Sequence, residues 1–151
     1  MKYIRRLILL STLLCLSYSF PVYSHANNIN EARLKTIHQY LNNLQNADYK
    51  DMKNIFSQNA IVVSTSRGKL DAIEFFNAFL PEVTAGNTQL HQTFISYDDK
   101  DRLAARFHLN LQLKDDEKVN GEFVDEFIFD KDSEKLTAVY MFENLKFPVL
   151  N

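Results

Sequence analysis

In the stretch GEFVDEFIFD, residues 121–130, an aspartate stands in a row of phenylalanines. Read as a strand, the stretch puts Phe123, Asp125, Phe127 and Phe129 on one face and Glu122, Val124, Glu126 and Ile128 on the other. Burial among three aromatic rings disfavours an ionised carboxylate and raises its pKa. Asp125 would then be a neutral acid able to donate a hydrogen bond inside an apolar site. The same carboxyl can instead serve the structure, by capping a backbone group or lying at a wet opening.

Other chemistries find little support. His38, His91 and His108 are isolated, and no histidine pair has metal-ligand spacing. Gly68, Gly86 and Gly121 are too far apart for a phosphate-cradling loop. No serine lies in a nucleophile-elbow pattern. Neither a cofactor nor a metal is expected. His91 falls in a strand set with Thr93, Ile95 and Tyr97. It is either a proton acceptor facing a pocket or an ordinary histidine on a sheet surface. His108 shares a polar face with Arg106 and reads as a surface or dimer contact.

The chain has 151 residues and one cysteine, Cys15. Its first 26 residues read as a secretory signal peptide, with a basic start (Lys2, Arg5, Arg6), an apolar run from Leu7 to Leu16 and Ser24-His25-Ala26 before the expected cut. The run is shorter than a membrane span requires, so no stable membrane anchor is expected after the signal is removed. Residues 27–151 make one domain. That domain would be exported, periplasmic or secreted, and free of cysteine. Removing the signal takes away three cations and no acid, so the domain is more acidic than the whole chain's net charge of −2. An acidic domain without a basic run is a poor partner for nucleic acid.

Certain elements must position these residues. Leu34, Ile37, Leu41 and Leu44 form one helical stripe within 31–45, with Tyr40 beside it and residues 27–30 as a polar leader. Asp48 is placed to cap a second short helix whose buried side includes Met52, Ile55 and Phe56. Residues 60–64 read as a strand and 67–69 as a turn. Asp71, with Glu74 three positions on, opens a third helix that ends near Pro81. After a link at 84–87, the period changes to two, with strands expected at 89–97, 102–113, 120–130 and 136–145. In the strand 102–113, Leu103, Ala105, Phe107, Leu109, Leu111 and Leu113 share one face, and Arg106, His108, Asn110 and Gln112 the other. Short polar links make the strands antiparallel neighbours. Helices followed by a meander give an α+β domain.

Three segments carry a resemblance. HQYLNNLQNADYKDMKNIFSQNAIVVS (38–64), GKLDAIEFF (68–76) and FVDEFIFDKDSEKLTAVYMF (123–142) resemble the opening helices, third helix and final hairpin of nuclear transport factor 2-like domains. That group includes ketosteroid isomerases and SnoaL-like polyketide cyclases. The resemblance implies a cone-shaped roll, a strongly curved antiparallel sheet wrapped around three N-terminal helices, often dimeric through the sheet. Tyr40 falls where the isomerases carry their oxyanion-hole tyrosine, and Asp125 where they carry its partner acid, which an apolar site keeps protonated. Their general base, an aspartate, falls on Ser64, which cannot abstract a proton alone. Tyr40 and Asp125 are therefore candidate donors to a ligand oxygen, or a structural pair. His91 is the candidate base for an isomerase, dehydratase or cyclase. Phe56, Phe76, Phe107, Phe123, Phe127 and Tyr140 are the candidate walls of a pocket for a small, mostly apolar molecule. A third reading is a protein-interaction module on the sheet face that carries Arg106, His108, Asn110, Gln112, Glu122 and Glu126.

Overall fold

The computed structural model describes residues 22–144. Most of the expected signal segment lies outside the described residues. The first helix, α1 (Val22–Gln45), runs straight through the polar leader and begins before the expected cut after Ala26. A short helix α2 (Tyr49–Asn54) follows, capped by Asp48, whose carboxylate accepts from the Asp51 N–H at 2.9 Å. Ile55 closes that helix, so Phe56 starts strand β1 (Phe56–Ser64) and does not belong to the helix face. A turn at 65–67 leads into β2 (Gly68–Asp71). Asp71 caps α3 (Ala72–Phe79) by accepting from the Glu74 N–H at 2.9 Å. Pro81 lies in a single 3-10 turn, Leu80–Glu82, where the missing N–H costs nothing.

The remaining strands are β3 (Val83–Ile95), β4 (Arg102–Leu113), β5 (Lys118–Phe129) and β6 (Leu136–Asn144). They complete a six-stranded sheet in the order β2-β1-β6-β5-β4-β3. The sheet is mixed: β1 runs parallel to β6, with Val62 beside Val139 and Ser64 beside Met141, and every other neighbouring pair is antiparallel. The expected antiparallel meander is present in β3–β6, and the parallel β1–β6 pair adds to it. Hairpins account for the antiparallel pairs, whereas β1 meets β6 only after the whole intervening chain has returned.

The expected link at 84–87 is part of β3. Residues there pair with 110–112 of β4, and Gly86 is the reason they can lie so close to the helix layer. A Cβ on Gly86 would sit 2.5 Å from the Gln45 carbonyl oxygen and 2.8 Å from a Leu111 methyl. The end of α1 is fastened at the same place, where the Thr88 N–H donates to Gln45 Oε1 at 3.1 Å.

The inner face of the sheet packs on the helices. Ile37, Tyr40, Leu41 and Leu44 of α1 meet Phe107, Leu111, Phe123 and Phe127 in one core. Near the middle of α1, Arg33 is 1% exposed and works as a clamp. Its guanidinium donates to the carbonyls of Lys100 (2.7 Å), Ser133 (2.9 Å) and Asp130 (3.0 Å), and to Asp101 Oδ1 (2.7 Å). Phe129 covers it, with the guanidinium carbon 5.1 Å from the ring centre. One side chain thus ties α1 to both the β3–β4 and β5–β6 connections.

Candidate functional site in the cone

Tyr40 projects from the last two turns of α1 toward Asp125 on the inner face of β5. The phenol donates to Asp125 Oδ2 at 3.0 Å, across 85 positions of sequence. Tyr40 is 1% exposed and Asp125 2%. Two edge-on rings fix the tyrosine, Phe127 at 5.1 Å and Phe76 at 5.9 Å. Asp125 is flanked across the sheet by Ala105 on β4 and Met141 on β6. Burial first, then the Asp125 carboxylate, then the hydrogen bond to it, push the Tyr40 phenol well above its usual 10.0.

This pair lies at the buried end of a cavity of about 320 Å³, the lower end of the range for small-molecule sites. Phe75, Phe76 and Phe79 of α3 form one wall, and Phe107, Leu109 and Phe123 of the sheet form the opposite one. Ser64 and Ser66 contribute hydroxyls 3.2 Å apart. Arg67, Glu117 and Lys118 line the cavity where it opens, and all three are exposed.

Several expected site residues lie elsewhere. His91 is outside the cavity. Strict alternation groups it with Thr93 and Ile95, which pair with the inward residues Ala105 and Leu103. A bulge between Leu90 and Gln92 breaks that alternation, and His91 emerges on the outer face, 3.3 Å from Glu122. It therefore cannot serve as the proton acceptor for a ligand held by Tyr40 and Asp125. Phe56 and Phe127 are core residues behind the cavity, Phe56 stacking on Phe76 at 5.5 Å. Tyr140 pairs with Glu126 on the outer face, and its neighbour Met141 lines the cavity instead. Phe76, Phe107 and Phe123 do line it. His108 is on the outer face, bonded to Glu122 at 3.1 Å and Asn120 at 2.8 Å.

The sequence reading passed over Phe75, Phe79 and the charged opening. The spacing of Phe75, Phe76 and Phe79 on one helix was an available signal. The opening was not, because a turn (Arg67) and a strand start (Lys118) meet only through the fold. Among the described residues no group of three or more His, Cys, Asp or Glu is placed to hold a metal ion. No described helix is long and apolar enough to cross a membrane.

No family model and no curated protein matches the sequence. Solved structures do match the fold. An M. tuberculosis LEH-like epoxide hydrolase superposes with a TM-score of 0.61 at 12% identity, covering 76% of this chain and 84% of that one. A protein from Jannaschia described as a candidate SnoaL-like polyketide cyclase gives 0.62 at 12% identity, covering 78% and 88%. A protein of ketosteroid isomerase-like fold from Catenulispora acidiphila, solved with trimethylamine, gives 0.60 at 6% identity, covering 72% and 84%. The chain has the nuclear transport factor 2-like cone fold, the class to which these structures belong.

Proposed function

We propose that this domain holds a small, mostly apolar ligand in the cone, with Tyr40 and Asp125 orienting one ligand oxygen. The observation that carries the reading is the 3.0 Å bond between two side chains almost wholly removed from water, at the closed end of an aromatic-walled cavity. A polar pair in such a place is a fixed point against which a carbonyl, hydroxyl or phenolate can be positioned. In this role the Tyr40 phenol is held in the protonated state, donating to Asp125. The phenylalanines supply contact area without competing hydrogen bonds.

An isomerase, dehydratase or cyclase reaction would need a proton acceptor in reach of the ligand. Ser64 is engaged with Ser66 and with the Arg67 N–H, and His91 is on the wrong face of the sheet. Ligand holding without turnover is therefore the reading favoured. A screen of small hydroxylated and carbonyl-bearing aromatics against the purified domain tests it, scored by calorimetry. Tyr40→Phe and Asp125→Ala should each weaken a hit by about tenfold, the worth of one well-placed buried hydrogen bond. Unchanged affinity in both variants would reject these roles.

Two further parts of the proposal concern context. The first is export, supported by the basic, apolar and small-residue order of the first 26 residues. Cell fractionation with N-terminal sequencing of the recovered protein tests it. The second is a homodimer formed through the outer face of the sheet, supported by the exposed Phe94, Val124 and Phe142 there.

A further inference from the structure

The cone is apolar along its walls but not at its opening. Arg67 stands on the turn between β1 and β2, held by its own N–H, which donates to Ser64 Oγ at 3.0 Å. Lys118 begins β5, and Glu117 precedes it. All three line the same cavity. Two cations against one carboxylate make the charged lining at the opening positive, in a chain whose net charge is −2. Just outside the cavity Lys114 pairs with Glu82 at 3.4 Å, while the carboxylates of Asp115 and Asp116 precede Glu117 on the exposed turn, Asp115 beside Arg67 in a neighbouring surface groove. Among the described residues the Arg67 and Lys118 side chains take part in no ion pair.

From this arrangement we infer that the ligand is an amphipathic monoanion. Its apolar body lies against Phe75, Phe79, Phe107 and Phe123. Its buried end offers an oxygen to Tyr40 and Asp125. Its outer end is a carboxylate, sulfonate or similar group held by Arg67 and Lys118. A planar guanidinium favours such a group through paired N–H bonds. The inference rests on the ligand-holding reading of the cone and adds the sign and position of the ligand's charge. An uncharged apolar ligand of the same shape would leave both cations unused, and a cationic one would meet repulsion on entry.

Two fluorescent probes of one skeleton separate the terms. Anilinonaphthalene sulfonate carries the anion, and N-phenylnaphthylamine is the same molecule without it. Titration of the full domain at low salt should show the sulfonate binding about three- to tenfold more tightly, the range expected for one or two partly exposed charge pairs. The double substitution Arg67→Gln, Lys118→Gln should bring the two affinities together. Glu117→Gln should widen the gap. Added salt should close it. Equal affinities in the native domain, or a preference that survives the double substitution, would overturn the anion assignment and leave the cone reading standing. Failure of both probes to bind, or neutral-probe binding indifferent to Phe79→Glu, would remove the cone reading and this inference with it.

Discussion

At the scale of single residues, the Tyr40–Asp125 pair has consequences that do not depend on any ligand. The phenol is the donor, and its removal deprives a buried carboxyl of a partner. Tyr40→Phe should cost about 1–3 kcal/mol of stability at neutral pH, measured by urea unfolding. The sign of the pH dependence follows from the raised phenol pKa. Above 10.0 the unfolded chain releases the Tyr40 proton while the folded chain keeps it, so the unfolded state binds fewer protons and stability falls as pH rises. The contribution is complete below 10.0 and is lost as pH climbs toward the folded value. The gap in stability between native protein and Tyr40→Phe should therefore be constant from pH ~7 to ~9 and shrink above ~10, since every other titrating group is common to both. A gap that stays flat through that range would mean that Tyr40 ionises in the fold as it does in water.

At the scale of elements, two positions hold the helix layer to the sheet. Gly86 is required where α1 ends on β3, because a Cβ there meets backbone as well as a side chain. Gly86→Ala should lower stability by about 1–3 kcal/mol, the usual cost of overpacking, visible as a fall in Tm. Arg33 is the matching fastener near the middle of α1. Arg33→Lys keeps the charge but offers a single point donor where three carbonyls and a carboxylate are now served. A loss of about 2–4 kcal/mol is expected, with Arg33→Ala no milder, from the same unfolding measurement. These two residues also mark how far the sequence could be read. Alternation in 102–113 and 121–130 placed both faces of β4 and β5, and Asp48 and Asp71 announced α2 and α3. Those signals are local, and local periodicity survives into the fold. Arg33 lies on the stripe continued by Ile37, Tyr40 and Leu44, yet a charged residue on an apolar stripe gives no hint that distant carbonyls will receive it. Gly86 looked like a loop because glycine weakens a strand, whereas here it admits a neighbouring helix. His91 was misplaced by a single bulge, an insertion of one residue that inverts every face assignment depending on it. Of the cone, the Tyr40–Asp125 pair and three phenylalanines were legible, while its opening depended on contacts between segments far apart in sequence.

At the scale of the molecule, the sheet has two faces with different work. The inner one closes the cone. Across the middle of the outer one, Gln92, Arg106, Val124 and Phe142 stand side by side, and Phe94, Ala104, Glu126 and Tyr140 form the adjacent row. Phe94 on β3, Val124 on β5 and Phe142 on β6 are exposed. Several polar groups around them are bonded within the chain, Arg102 to Glu126 at 2.9 Å and Glu122 to His108 at 3.1 Å, and Arg106 is exposed in the central row. A face with an apolar cluster and mostly paired charges is suited to being covered by another sheet. A second copy would place its own apolar centre against this one about a two-fold axis. Sedimentation should show a dimer at micromolar concentration. Phe142→Lys and Val124→Lys, whose charges would face each other across the axis, should each yield monomers. Because these side chains point away from the cavity, probe binding in the monomeric variants should match that of the native protein. A native protein that sediments as a monomer at ~100 μM would leave the outer face to a different partner, since a sheet-sized interface of ~1,600 Å² ordinarily persists at that concentration. Monomeric variants that also lost the probe would show instead that the sheet's curvature, and with it the cone, depends on the second copy.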